Sequence, residues 1–230
     1  NVKSAAENFS HQVSQAFEKN RKKSKNLAID KIMLDGFKSL ESRDFKIENG
    51  EKIMEHARSI KSAEEIKAMR CSISACETSI HVMEKETKPG MTENDIWSIL
   101  HSENIKRGGE WIETRLLSSG TKTNPWFQEC GSRILQNNEI VAFDTDLVGC
   151  YSMCTDISRT WWIGDQEPTK EMKQDYQIAL EHIQKNAELV APGVHFKDLT
   201  FKGHQLDDMD KKQQYSCRFH GVGLCDEIPL

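Results

Sequence analysis

No stretch of this 230-residue chain approaches the ~20 consecutive apolar residues that a bilayer-spanning helix needs. A helical membrane protein is therefore not expected. Excess positive charge is missing too. The formal net charge is −5, so the electrostatic footprint of a nucleic-acid or acidic-membrane binder is absent. The one basic run, Arg21-Lys22-Lys23-Ser24-Lys25, reads as a solvated surface. There is no internal repeat and no low-complexity tract. The seven cysteines make no CxxC pair and no repeated spacing, which reads as reduced intracellular thiols rather than a disulfide framework. No signal peptide is visible, and a cytoplasmic protein is expected. The apolar fraction of 37% and charged fraction of 29% suit a globular chain with one large domain, or a domain with an appendage.

What is present concentrates in residues 139–164. Ile140, Val141, Ala142 and Phe143 form an apolar run with strand chemistry, and Tyr151 to Ile163 returns with Tyr, Thr, Ile and Trp. The pattern predicts a hairpin turning near Gly149–Tyr151. Asp144 and Asp146 then share a face, and Asp156 lies across from them. Aspartate is a poor strand former, and three carboxylates on one side of a hairpin repel each other. A cation, bound protons or solvent must offset that repulsion. For any one of them a solvated acidic turn is the plainer reading; for three at this spacing, oxygen ligands to a metal are the better one.

Around this hairpin the chain orders itself. Residues 1–57 read as the remnant of an N-terminal domain and linker, with weak helical periodicity over Val2–Lys19 and turn signals at Asp35-Gly36 and Glu48–Glu51. Ser62 with Glu65 forms a capping box opening a helix to Thr87, with Ile66, Met69, Ile73, Cys76, Ile80 and Met83 as its buried stripe. Thr92 with Asp95 opens a second helix, stopped by Gly108-Gly109. Trp111 to Leu117 reads as a strand, followed by a polar loop exposing Trp126 and Phe127. Thr169 opens a long helix to about Val190. A short helix near Phe196–Leu206 and a strand over Tyr215–Phe219 follow. The strand leads into His220-Gly221-Val222-Gly223-Leu224-Cys225-Asp226-Glu227. Two glycines there permit close backbone approach to a ligand. An imidazole joined to hard carboxylates favours Fe, Mn or Zn over Ca or Mg.

This succession of helix, Pro-Gly, helix, strand, acidic hairpin, helix, Pro-Gly, helix and glycine-rich His strand resembles the pita-bread metallohydrolases, which include creatinase, prolidase and the Xaa-Pro aminopeptidases. Within them the chain looks most like the dimethylsulfoniopropionate lyase branch. The segments responsible are Arg115–Gly120, Thr123–Phe127, Phe143-Asp144-Thr145-Asp146, Asp156–Trp161 and His220–Glu227. The resemblance implies an α+β fold over residues 58–230, a curved antiparallel sheet covered by helices beginning near Ser62, Thr92 and Thr169. It also implies a C-terminally incomplete domain, because the family's two later glutamate ligands have no counterpart here. Peptidases of this fold read His-Gly-x-Gly-His, where this chain has Leu224. They also place a His before the hairpin, and none lies between Ser118 and Asn138.

The ligand set implied is Asp144, Asp146, Asp156 and His220, holding a divalent transition ion, iron foremost and Mn or Zn otherwise, in a two-ion site in the complete protein. The substrate implied is a small zwitterion with a carboxylate and a sulfonium. Its elimination to dimethyl sulfide and acrylate needs a base, and the resemblance points to Asp226, with Tyr215 as the next candidate. The sulfonium calls for an aromatic wall, for which Tyr215, Trp126, Trp111 and one of Trp161 or Trp162 are candidates. Family analogy implies a homodimer. A Xaa-Pro metallopeptidase or related hydrolase, and a non-catalytic binding module, are the competing readings.

Overall fold

The structure is a computed structural model and describes residues 1–215 and 217–227. Residues Asn1–Ile60 form one compact unit and the chain from Lys61 a second. In the first, α1 (Val2–Lys19), β1 (Asn26–Ile29), α2 (Leu34–Glu41), β2 (Lys46–Asn49) and α3 (Glu51–Ser59) follow in order. β1 and β2 pair in parallel, from Asn26 against Lys46 to Ile29 against Asn49. Parallel neighbours need a crossover, and α2 supplies it. Leu40 and Phe45 are its buried centre, and Phe17 meets Phe45 edge-on at 5.0 Å. The Asp35-Gly36 turn expectation is corrected: both residues lie inside α2, where Gly36 is buried.

The second unit contains α4 (Ala63–Glu86), α5 (Glu93–Lys106), β3 (Trp111–Ile112), β4 (Leu117–Ser119), β5 (Glu139–Phe143), β6 (Asp146–Val148), β7 (Cys154–Asp156), β8 (Arg159–Ile163), α6 (Lys170–Ala187), α7 (Phe196–Lys202), α8 (Asp208–Lys211), β9 (Gly221–Val222) and β10 (Asp226–Glu227). Both capping boxes form. Ser62 and Thr92 accept from the Glu65 and Asp95 amides, whose carboxylates reach back to the Ser62 and Thr92 amides. Thr169 caps α6 through the Met172 amide.

Antiparallel strands form two three-stranded sheets, ordered β3-β6-β7 and β4-β5-β8. α4 and α5 bury Met83, Ile96 and Leu100 against Leu117, Val141, Phe143 and Leu147 of these strands. The buried stripe of α4 differs from the expected one. Ile66 and Ile73 are exposed, and Ser72, Ala75 and Ser79 are buried beside Cys76, Ile80 and Met83. Small residues let the helix lie close to the hairpin turn. Ser72 Oγ donates to the Met153 carbonyl at 2.8 Å, and a Cβ on Gly149 would stand 1.9 Å from that hydroxyl oxygen.

Three other expectations are revised. The Trp111–Leu117 strand is broken into β3 and β4, because the Thr114 hydroxyl turns to Asp146 and the Arg115 carbonyl accepts from Cys130. No strand covers the described residues of Tyr215–Phe219; Ser216 lies outside them, and the Arg218 guanidinium is drawn to the His204 carbonyl. α6 forms where its periodicity predicts, but Tyr176 and Ile183 are exposed and only Asn186 on it is buried.

Candidate metal centre

The acidic hairpin is built in two storeys. β5 pairs with β8 from Glu139–Ile163 to Phe143–Arg159, and β6 pairs with β7 from Asp146–Asp156 to Val148–Cys154. One register runs through both, so Asp144 faces Ser158 across the gap between them. The Asp144 amide donates to the Leu116 carbonyl, continuing the pairing of β5 with β4. Asp144 Oδ1 accepts from the Ser158 hydroxyl at 2.7 Å and from the Thr145 amide at 3.0 Å. Asp146 Oδ2 accepts from the Thr114 hydroxyl at 2.6 Å. Side-chain hydroxyls thus hold two of the carboxylates in place. Thr114 and Ser158 were not singled out by sequence, and only the hairpin register could have pointed to Ser158.

The glycine-rich segment completes the cluster. β9 and β10 pair antiparallel, Asp226 against Val222, and the Cys154 amide donates to the Gly223 carbonyl at 2.7 Å. That bond ties the segment to β7 two residues from Asp156. His220 Nε2 lies 2.9 Å from Asp156 Oδ2. His220 Nδ1 donates to the Gly221 carbonyl at 3.1 Å. A ring fixed through Nδ1–H presents Nε2 to the carboxylates, the arrangement that orients an imidazole ligand.

One ligand atom from each of Asp156, His220 and Asp226 lies within 4.8 Å of the other two. Asp226 is thus drawn into the same group as the predicted ligands. Asp144 lies in hydrogen-bonding reach of Asp156, and Asp146 of Asp226. Burial, with Asp144, Asp146 and Asp226 beside it, pushes Asp156 up to about 7. Burial and Asp146 push Asp226 up to about 6, against the pull of His220. Burial opposes a charged His220, yet the Gly221 carbonyl and the charges of Asp156 and Asp226 lift it above its ordinary value.

The donor set fits a divalent cation. Asp226 Oδ1 is sealed from solvent without a hydrogen-bond partner, and half-buried carboxylates crowd on one imidazole. A cation is the simplest group to relieve both.

Beside the cluster lies an aromatic row. Trp126 and Phe127 have ring centroids 6.2 Å apart, and Phe127 stacks on Tyr215 at 5.3 Å and 30°. Burial, Cys217 and then the carboxylates of Asp156, Asp144 and Asp146 push the Tyr215 hydroxyl up, so the ring lies in the field of the hairpin. Phe127, noted in the sequence as an exposed loop aromatic, is the middle member of this row. Its backbone sits at φ 69°, a left-handed conformation uncommon for an aromatic residue. The other tryptophans are engaged elsewhere. Trp161 packs on Phe143 in the core, Trp162 donates to the Gln166 carbonyl, and Trp111 sits half-exposed on β3.

Comparison with known proteins agrees with this architecture. The model of metallopeptidase family M24 matches residues 67–228. Dimethylsulfoniopropionate lyases DddP of Roseovarius nubinhibens and Roseobacter denitrificans are each 52% identical over 98% of this chain and 52% of their own length. The chain therefore spans about half the length of these curated relatives. Among solved structures, an Xaa-Pro dipeptidase from Bacillus anthracis superposes with a TM-score of 0.79 at 19% identity, covering 96% of this chain and 62% of its own. An X-Pro aminopeptidase from Thermotoga maritima gives 0.76 at 20%, covering 97% and 63%. At such identity these two show the fold alone, which is the pita-bread α+β fold. With the family model matched over most of its length, the chain belongs to metallopeptidase family M24.

Proposed function

We propose that the protein containing this chain is a metal-dependent lyase that eliminates dimethyl sulfide from dimethylsulfoniopropionate, leaving acrylate. The observation behind this reading is the 52% identity to two named lyases of that substrate across nearly the whole chain. The site chemistry supports it. Asp144, Asp146, Asp156 and His220 are the residues that would hold the divalent ion, iron in our reading, in a two-ion site in the complete protein. When bound, such an ion supplies Lewis acidity toward the substrate carboxylate.

Asp226 is assigned the base. Its carboxylate takes the proton from the carbon next to the substrate carboxylate. The released pair forms the carbon–carbon double bond, and the carbon–sulfur bond breaks with its electrons going to sulfur. Dimethyl sulfide leaves neutral, so no general acid is required. A carboxyl raised to about 6 holds a proton near neutral pH better than an ordinary aspartate does. Tyr215 and Trp126, joined through Phe127, are assigned the wall that receives the sulfonium.

The hydrolase reading lacks support at the site. The peptidase His position is Leu224, an exposed side chain. Headspace measurement of dimethyl sulfide from the complete, metal-loaded protein, run beside cleavage of an Xaa-Pro dipeptide, tests the assignment. Sulfide release without peptide cleavage is expected, and the reverse would overturn it. We also infer a cytoplasmic homodimer. Among the described residues no helix is long and apolar enough to cross a membrane. Sedimentation showing only monomer would refute the dimer.

A further inference from the structure

We propose that Glu93 is a positioning residue: its buried carboxylate clasps both stems of the 120–131 loop and so fixes the aromatic wall that receives the cationic end of the substrate. The assignment of that wall rests on the function proposed above; the clasp itself rests on geometry alone.

Glu93 is the first residue of α5 and is 0% exposed. Its Oε1 accepts from the Ser119 amide at 3.0 Å and the Ser119 hydroxyl at 2.8 Å. Its Oε2 accepts from Lys122 Nζ at 2.6 Å and from the Gly131 amide at 3.0 Å. Ser119 enters the loop, Lys122 lies in its first turn and Gly131 leaves it. One carboxylate therefore closes the loop at its base. Lys122 Nζ also donates to the Glu129 carbonyl at 2.7 Å, tying the first turn to the returning limb of the loop. A second pair backs the first: Arg133 reaches Ser119 Oγ and grips Glu139 through two bonds of 2.7 and 2.6 Å. Gly120, at φ +55°, passes so close that a Cβ would stand 2.4 Å from Glu139.

At the far end the same loop presents Trp126 and Phe127, and Phe127 stacks on Tyr215 beside the acidic cluster. A buried carboxylate is costly, and apolar packing could fill the space under a loop at less cost. A carboxylate with four donors aimed at it instead gives the loop one defined geometry. The helix N-terminus favours the same charge.

The test uses the complete, metal-loaded protein with Glu93→Gln and Lys122→Met. Glutamine keeps the shape, but its amide NH₂ must face donors at Ser119 or at Lys122 and Gly131. Lys122→Met removes one donor, is part-exposed, and reads the clasp where Glu93→Gln does not fold. Both variants are expected to speed amide hydrogen exchange in residues 120–131 about tenfold, while α4 and β5 keep wild-type protection. KM for dimethylsulfoniopropionate should rise about tenfold with kcat within about threefold. Unchanged exchange in the loop, or equal loss of protection across the whole domain, overturns the clasp. A fall in kcat with KM unchanged overturns its link to the wall. If the wild-type protein releases no dimethyl sulfide, the lyase reading fails by itself, and the exchange measurement still decides the clasp.

Discussion

At the scale of single residues, Asp226 is where two roles compete. It falls within the group formed with Asp156 and His220, as a ligand would. Its unpartnered oxygen fits the same role, whereas its carboxyl, raised to about 6, fits a base. A ligand's lone pairs are committed, so one side chain serves one role at a time. If Asp226 is the base, Asp226→Ala lowers kcat by about 10²–10⁴-fold and leaves the metal content of the purified protein unchanged. Asp156→Ala loses activity and metal together. Elemental analysis beside dimethyl sulfide release reads both, and metal lost from Asp226→Ala would make that residue a ligand. Phe127 carries a second expectation. Cation–π contact in a partly desolvated site is worth about 0.5–2 kcal/mol. Phe127→Ala removes the ring that joins Trp126 to Tyr215, so KM rises by roughly 2- to 30-fold at nearly constant kcat. Saturation kinetics decide it, and an unchanged KM would remove Phe127 from the wall.

At the scale of elements, the caps divide the helices into two classes. α4 and α5 bury one face in the core, whereas α6 leaves Met172, Tyr176 and Ile183 exposed. Ser62→Ala and Thr92→Ala are therefore each expected to lower Tm by roughly 3 °C. Thr169→Ala, on the exposed helix, should leave the main transition in place; differential scanning calorimetry separates the cases. These caps were legible in the sequence because their chemistry is local: a hydroxyl and a carboxylate three residues apart. So was the hairpin register, because its turn and its period of two are local as well, and it set Asp156 directly against Asp146. Contacts made at a distance were not legible. The Trp111–Leu117 strand breaks for the sake of Asp146 and Cys130, which lie many residues away. α4 buries serines in preference to Ile66 and Ile73, because it must lie close to a turn at Gly149. Glu93 looked like any acid in a first helical turn. Its partners, from Ser119 to Gly131, are brought to it only by the fold.

At the scale of the whole molecule, the acidic cluster couples stability to both pH and metal. Without a cation, folding must hold Asp156 at about 7 and Asp226 at about 6, both well above an ordinary aspartate, and His220 also above its usual value. A group whose folded value is raised contributes stability that is complete below its unfolded value and is lost as pH rises through the folded one. All three act in the same sense. The chelated protein is therefore expected to lose stability as pH rises from about 4 to 8, by about 1.4 kcal/mol for every tenfold that folding strengthens proton binding at a single group. Asp156→Asn removes the most strongly raised carboxyl and should flatten the profile. A bound divalent cation reverses the logic, since it favours the carboxylates in their charged form. An ion at 100 times its Kd adds about 2.7 kcal/mol, and because ligands must be deprotonated that gain grows with pH. Thermal melts of chelated and metal-loaded protein across this range should therefore diverge as pH rises, the first falling while the second holds or climbs. Parallel profiles would mean that no cation binds at the Asp156–His220 cluster.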